Sequence, residues 1–160
     1  MKKVLTLVIV YNSERILLGF KKRGFGQGGW NGFGGKVDGD ETIEQAAIRE
    51  LHEEAGITAL DLRPRGILSF TFENELDAEL EVNIYAATEF SGEPIETEEM
   101  KPQWFAHSEI PYSEMWTDDQ FWLPTILAGK NVKGNVHFDS SDTQIILENR
   151  DKLWILCNFA

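Results

Sequence analysis

The sequence predicts an α+β fold on three observations. Short runs that read as strands recur along the 160 residues, an amphipathic helix interrupts them at about residues 41–55, and a second helical stretch comes late. No internal repeat, low-complexity tract or linker divides the chain, and one domain spanning residues 1–160 is expected at this length.

The runs VLTLVIV (4–10) and RILLGF (15–20) read as strands joined at Asn12-Ser13, a hairpin signal. The basic, then apolar, start resembles a secretion signal. However, the apolar run is short, ends at YNSER and lacks a small-residue cleavage site, so it is read as the first strand. GFGQGGWNGFGG (24–35) carries seven glycines in twelve residues, which predicts a loop or a sharply bent strand. A helix is expected from Glu41 to Ala55, stopped by Gly56 in a C-terminal cap position. GILSFTF (66–72) alternates like a half-buried strand, and LEVNIYAATEF (80–90) follows a polar turn. PQWFAHSEIP (102–111) reads as a short strand running into a loop, and the segment 113–129 as helical from about Asp118, with Pro124 marking a kink or an early-turn position. NVHFDSS (135–141) and TQIILEN (143–149) suggest a closing hairpin; the tail DKLWILCNFA (151–160) has no evident place.

Composition narrows the functions. Fifteen Lys and Arg against 27 Asp and Glu give a net charge of −12, which opposes binding to a nucleic-acid polymer. A small phosphate ester can still bind where a metal or a local basic patch such as Lys21-Lys22-Arg23 supplies counter-charge. No run of about 18 apolar residues is present to span a membrane. A lone Cys157 excludes an internal disulfide and suits a reducing, cytoplasmic setting. His52, His107 and His137 show no ligand spacing.

The chemistry concentrates on the helix at 41–55. On a wheel at about 100° per residue, with Ile43 at zero, Ala47 falls near ~40°, Glu54 near ~20° and Glu50 near ~−20°. Ala46 lies near ~−60° and Glu53 near ~−80°, while Gln45 and His52 fall on the far side. The apolar stripe of the first half thus becomes carboxylate in the second. Three carboxylates there repel one another and meet the negative end of the helix dipole. Burying even one without compensation costs about several kcal/mol. A hard divalent cation reverses that penalty, because Mg²⁺ prefers clustered carboxylate oxygens, and Glu50, Glu53 and Glu54 at i, i+3 and i+4 can surround one. Two glycine motifs carry less weight. Gly24-Phe25-Gly26-Gln27-Gly28-Gly29 matches G-x-G-x-x-G but is not followed by a helix, and Gly35-Lys36 lacks the Ser or Thr of a phosphate-binding loop.

The stretch from Gly35 to Ile57 reads Gly35, Glu41, Arg49-Glu50-Leu51, Glu53-Glu54 and Gly56-Ile57, with nine specified positions in 23 residues. This resembles the complete Nudix box, G-x5-E-x7-R-E-U-x-E-E-x-G-U. The resemblance implies an α/β/α sandwich around a central mixed sheet, carrying a catalytic loop–helix–loop. It also implies Mg²⁺ (or Mn²⁺) and hydrolysis of a diphosphate linked to another group. By that resemblance Glu50, Glu53 and Glu54 are metal ligands, Gly35 offers its carbonyl, Arg49 orients the glutamates, and Glu99 adds a carboxylate from outside the box. Glu50, Glu53 and Glu99 are alternative general bases.

Outside the box, LTLV, RILLGFKKRGFGQGGWNGFGGKV, SFTF, EEMKPQWF and MWTDDQFW resemble the branch of that family, relatives of bacterial MutT, that hydrolyses oxidised purine nucleoside triphosphates such as 8-oxo-dGTP and 2-hydroxy-dATP to the monophosphate and pyrophosphate. That branch implies a monomer and a base pocket built from Thr6, Phe25, Asn31, Phe70, Phe72, Met100, Trp116, Asp118, Asp119 and Trp122, with Lys21 reaching the phosphates or ribose. Trp116 can stack on a purine, and the two adjacent aspartates can accept hydrogen bonds from a guanine-type edge. With one proton shared between them they could also donate. Thr117 departs from the proline usual before the paired aspartates, and the acidic 73–79 turn is one residue longer than the pattern. Alternatives are a Nudix hydrolase of another nucleoside diphosphate derivative and a non-catalytic nucleotide-binding module.

Overall fold

Alternation of apolar side chains on a long N-terminal strand gives the molecule its two cores. The computed structural model describes residues 1–138 and the backbone of 154–157. Its strands are β1 (Lys2–Tyr11), β2 (Arg15–Lys21), β3 (Trp30–Asn31), β4 (Thr58–Ala59), β5 (Arg63–Phe72), β6 (Glu79–Ala87), β7 (Phe90–Ser91), β8 (Met100–Ala106), β9 (Val132–Phe138) and β10 (Trp154–Cys157). Two α-helices join them, α1 (Ile43–Ala55) and α2 (Asp119–Leu127).

The main sheet runs β10-β9-β5-β6-β1-β2-β3, with β8 also paired to β2, and β4 and β7 form a separate ribbon. The β1–β6 and β5–β9 pairs are parallel and the others antiparallel, so the sheet is mixed. Ile9 and Tyr11 point to one face, where Leu18, Leu68 and Ile84 meet Trp122, Leu123 and Ile126 of α2. Val8 and Val10 point to the other, where Leu17, Phe33 and Met100 meet Ala47, Leu51 and Ala55 of α1. A helix on each face of one mixed sheet is the expected sandwich. No helix among the described residues is long and apolar enough to cross a membrane.

Helix α1 is delimited by its own chemistry. Thr42 and Gln45 form a reciprocal capping box at its start. Gly56, at φ 73°, ends it in the left-handed conformation and donates its N–H to the His52 carbonyl. Helix α2 starts at Asp119 and tolerates Pro124 within its nine residues. The PQWFAHSEIP strand begins earlier than expected, at Met100, because Met100 and Lys101 pair with Lys21 and Phe20. LEVNIYAATEF splits: β6 ends at Ala87, and Phe90–Ser91 turns away to pair with Thr58–Ala59. Along β9, residues 132–135 pair with Trp154–Cys157 of the unplaced tail; residues 143–149, the expected hairpin partner, lie outside the described residues.

The glycine-rich segment first turns at the surface, as expected, with Gly24, Phe25, Gln27 and Gly28 exposed, and only its second half is held against the sheet. It leaves β2, makes the short β3, and returns against β1: Val8 N–H donates to the Phe33 carbonyl (2.6 Å), Thr6 N–H to that of Gly35 (2.9 Å) and Val37 N–H to that of Val4 (3.0 Å). At Gly34 the two backbones are so close that a Cβ would lie 1.8 Å from the Thr6 carbonyl oxygen. Gly34→Ala must therefore push β1 and this segment apart. Equilibrium urea unfolding is expected to show a loss of about 3 kcal/mol; a change below about 0.5 kcal/mol would mean the contact is not needed.

Candidate active site

Arg49 organises the carboxylates of α1. Its Nε and Nη2 bind the two oxygens of Glu41 at 3.0 and 2.6 Å, and Nη1 reaches Glu50 (2.8 Å) and Glu53 (3.2 Å). Nη2 also donates to the Lys36 carbonyl (3.1 Å), tying the helix to the preceding loop. This is a bidentate guanidinium clamp with charge-assisted bonds, a geometry that Lys cannot reproduce. Glu41, not among the expected site residues, is its anchor; the first Glu of the box was the signal for it.

Glu54 takes the opposite side. Its carboxylate is 1% exposed, accepts the Gly34 N–H at 2.8 Å and lies 3.4 Å from Lys21 Nζ. Burial pushes its pKa up to about 7, against the pull of Lys21 and Gly34, and the Glu50 charge adds to the rise. Burial also raises Glu50, in spite of its Arg49 bond, with the Glu53 and Glu99 charges contributing. The expected inward stripe therefore holds for Glu54 and Glu50, whereas the Glu53 side chain is 57% exposed. Gly35 lies against Glu50, where a Cβ would sit 2.6 Å from the carboxylate carbon. Its carbonyl accepts the Thr6 amide. Glu99 is half exposed and pairs with Arg23 at 3.4 Å.

The Lys21-Lys22-Arg23 patch divides. Lys22 binds Glu96 (3.0 Å) and Arg23 faces Glu98 and Glu99, so only Lys21 points at the carboxylates of α1. Among the described residues no three acidic, imidazole or thiol groups are gathered as a ready cage; Arg49 bonds Glu50 and Glu53, while Glu54 faces Gly34 and Lys21. The donor set nonetheless fits a hard cation: several carboxylate oxygens, partly buried, with the charged form disfavoured first by burial and then by the neighbouring carboxylates.

Beside this cluster opens a cavity of about 250 Å³. Thr6, Lys21, Phe25, Asn31, Phe70, Phe72, Met100, Trp116, Asp118, Asp119 and Trp122 all line it, together with Gly34, Gly35 and Glu54. Phe25 stacks on Trp116 with centroids 5.0 Å apart. Phe138, missing from the expected residues, stacks on Phe70 (6.0 Å) and Phe72 (5.7 Å) and meets Trp116 edge-on (5.6 Å). Only the parallel β5–β9 register brings it there, and its place in an alternating run was the one local signal.

Two carboxyls lie at the buried end. Asp118 stands at the N-cap position of α2 but makes no side-chain cap bond; its Oδ2 accepts Trp122 Nε1–H at 2.6 Å instead. Trp122, 2% exposed, thus both lines the cavity and holds Asp118. Burial lifts Asp118 to about 6, and burial with the Asp118 charge lifts Asp119 well above the usual carboxylate range. The turn forms without proline at Thr117: Asp119 N–H donates to the Trp116 carbonyl (3.1 Å) and Gln120 Nε2 to that of Thr117 (3.1 Å).

Because these folded-state pKa values exceed the unfolded ones, the folded chain holds more protons between about pH 4 and 7. Their stabilisation is full below that window and is lost as pH rises through the folded values; Glu41, held low by Arg49, acts with opposite sign below it. In chelator-containing buffer the melting temperature is expected to fall from about pH 5 to pH 8, less steeply in Asp119→Asn. A melting temperature that rises across this range would contradict the buried-carboxyl reading.

Residues 1–126 match the NUDIX domain family. A Danio rerio protein named oxidized purine nucleoside triphosphate hydrolase is 49% identical over 148 residues, covering 92% of this chain and 93% of its own. A Mus musculus protein of the same name is 46% identical over 141 residues, covering 88% and 90%. The crystal structure of the mutator MutT protein from Bacillus halodurans superposes with a TM-score of 0.80 at 26% identity, over 97% of both chains. The chain belongs to the Nudix family.

Proposed function

We infer that the protein hydrolyses oxidised purine nucleoside triphosphates to the monophosphate and pyrophosphate, with Mg²⁺ as the ion, as a cytoplasmic monomer of one domain. The observation that carries this reading is the shared lining. One cavity is lined both by aromatic rings with two buried aspartates and by Lys21, Glu54, Gly34 and Gly35, so a base and its phosphate tail find partners in one continuous site. The names of the two vertebrate relatives point to the same substrates.

Glu50, Glu53 and Glu54 would hold the ion, with Glu99 and the Gly35 carbonyl as further oxygens. When bound, it neutralises phosphate charge and activates water. Arg49 keeps Glu50 and Glu53 oriented. Lys21, mostly shielded from solvent, offsets charge where the cavity meets the carboxylates. Trp116 and Phe25 offer faces for stacking, with Phe138, Phe70 and Phe72 completing the wall. Asp118 and Asp119 read the base edge, one as acceptor and the other, kept protonated, as donor; Asn31 adds one of each.

Glu53→Gln changes an exposed side chain and should leave the fold intact while lowering pyrophosphate release by at least about a hundredfold. Retained release would sink the hydrolase reading. For the substrate, kcat/KM on 8-oxo-dGTP is expected to exceed that on dGTP by about tenfold or more, with Asp119→Ala losing most of the activity on 8-oxo-dGTP. Equal values for damaged and normal nucleotides would leave a Nudix hydrolase with another substrate.

A further inference from the structure

We propose that Thr97 is a positioning residue that holds the carboxylate cluster and the base cavity in register, an inference that rests on the hydrolase reading above. Thr97 lies in the loop between β7 and β8, outside the box and away from the cavity lining. Its hydroxyl donates to the Glu54 carbonyl at 3.1 Å. It accepts the Glu99 amide at 3.3 Å and the Met100 amide at 3.2 Å. The Met100 carbonyl, at 3.5 Å, is a second and longer acceptor for the same hydroxyl proton, so the donor and both acceptor sites of the hydroxyl are used.

The partners matter more than their number. The Glu54 carbonyl belongs to the last turn of α1, where intrahelical donors run out. The carboxylate of the same residue is the buried member of the cluster. On the other side of the hydroxyl, Glu99 bears a carboxylate that pairs with Arg23 and whose charge reaches Glu50, and Met100, 1% exposed, lines the cavity. Oγ1 therefore ties the end of α1 to Glu99 and to Met100, the first residue of β8.

The surrounding backbone is held independently. Thr97 N–H donates to the Met100 carbonyl (2.9 Å), Lys22 N–H to that of Glu99 (2.8 Å) and Ile95 N–H to that of Ala55 (3.0 Å). Lys22 Nζ donates to the Thr97 carbonyl at 2.8 Å. Loss of the hydroxyl should then leave the loop folded but release its fine placement, which affects ion and nucleotide binding rather than the fold.

The test compares wild type, Thr97→Val, Thr97→Ala and Thr97→Ser by three readouts: Mn²⁺ affinity without nucleotide, KM and kcat on 8-oxo-dGTP, and thermal midpoint. Thr97→Val, or Thr97→Ala should the valine variant not fold, is expected to weaken Mn²⁺ binding and raise KM by about tenfold each. Thr97→Ser should stay within about twofold of wild type, since it keeps the hydroxyl. Unchanged affinity and KM in the hydroxyl-free variants would overturn the proposal. So would a serine variant as defective as valine, or a drop in thermal midpoint alone. A wild type that fails to hydrolyse 8-oxo-dGTP would remove the substrate reading, while the Mn²⁺ affinities would still decide the role of Thr97.

Discussion

The carboxylate of Glu54, almost fully withdrawn from water, is the constraint on which the site depends. A buried carboxylate is unfavourable by about several kcal/mol unless it is paired and hydrogen-bonded. Its neighbours answer that demand in part. Gly34 gives its N–H, Lys21 approaches from β2, and Arg49 bonds the neighbouring Glu50 and Glu53. The compensation is incomplete, as the pKa of about 7 records, and a divalent cation would complete it. A group that is poorly satisfied in the free protein is one whose burial favours ligand binding rather than folding.

The same constraint explains the glycine-rich segment. To deliver an amide to Glu54, the chain must pass close to β1, and at Gly34 no side chain fits between the two backbones. Gly35 must leave room for the Glu50 carboxylate. One segment thus serves the sheet through its hydrogen bonds to Val8 and Thr6, and the carboxylates through its amides and lack of side chains. With Phe25 and Asn31 in its earlier part, it also reaches the aromatic-lined cavity. Sheet edge, cluster and cavity are consequently one mechanical unit.

Much of this was legible in the sequence because it is local. The stripe that turns from Ala46 and Ala47 to Glu50 and Glu54, the Gly56 stop and the alternation of β5 all depend on near neighbours. The residues proposed for a base pocket came from the family resemblance, not from periodicity, and all of them line one cavity. What escaped depends on distant pairing. Phe138 joins the aromatic wall only through the parallel β5–β9 register, and Trp154–Cys157 finds its place only against β9. The exposed position of Glu53 escaped as well, because a wheel gives angles and not the depth at which neighbouring elements end. Likewise, Lys22 and Arg23 look like phosphate ligands in the sequence, yet acidic residues some 75 positions away engage both.

The central claim is that inward-facing carboxylates on α1 form a divalent-cation site at the phosphate end of the nucleotide cavity. Anomalous diffraction from crystals grown with Mn²⁺ and a non-hydrolysable purine triphosphate tests it most directly. Manganese should scatter from between Glu50, Glu53 and Glu54, within about 2.0–2.4 Å of carboxylate oxygens and beside the phosphates. Manganese found elsewhere, or a nucleotide whose phosphates point away from those glutamates, would contradict the account.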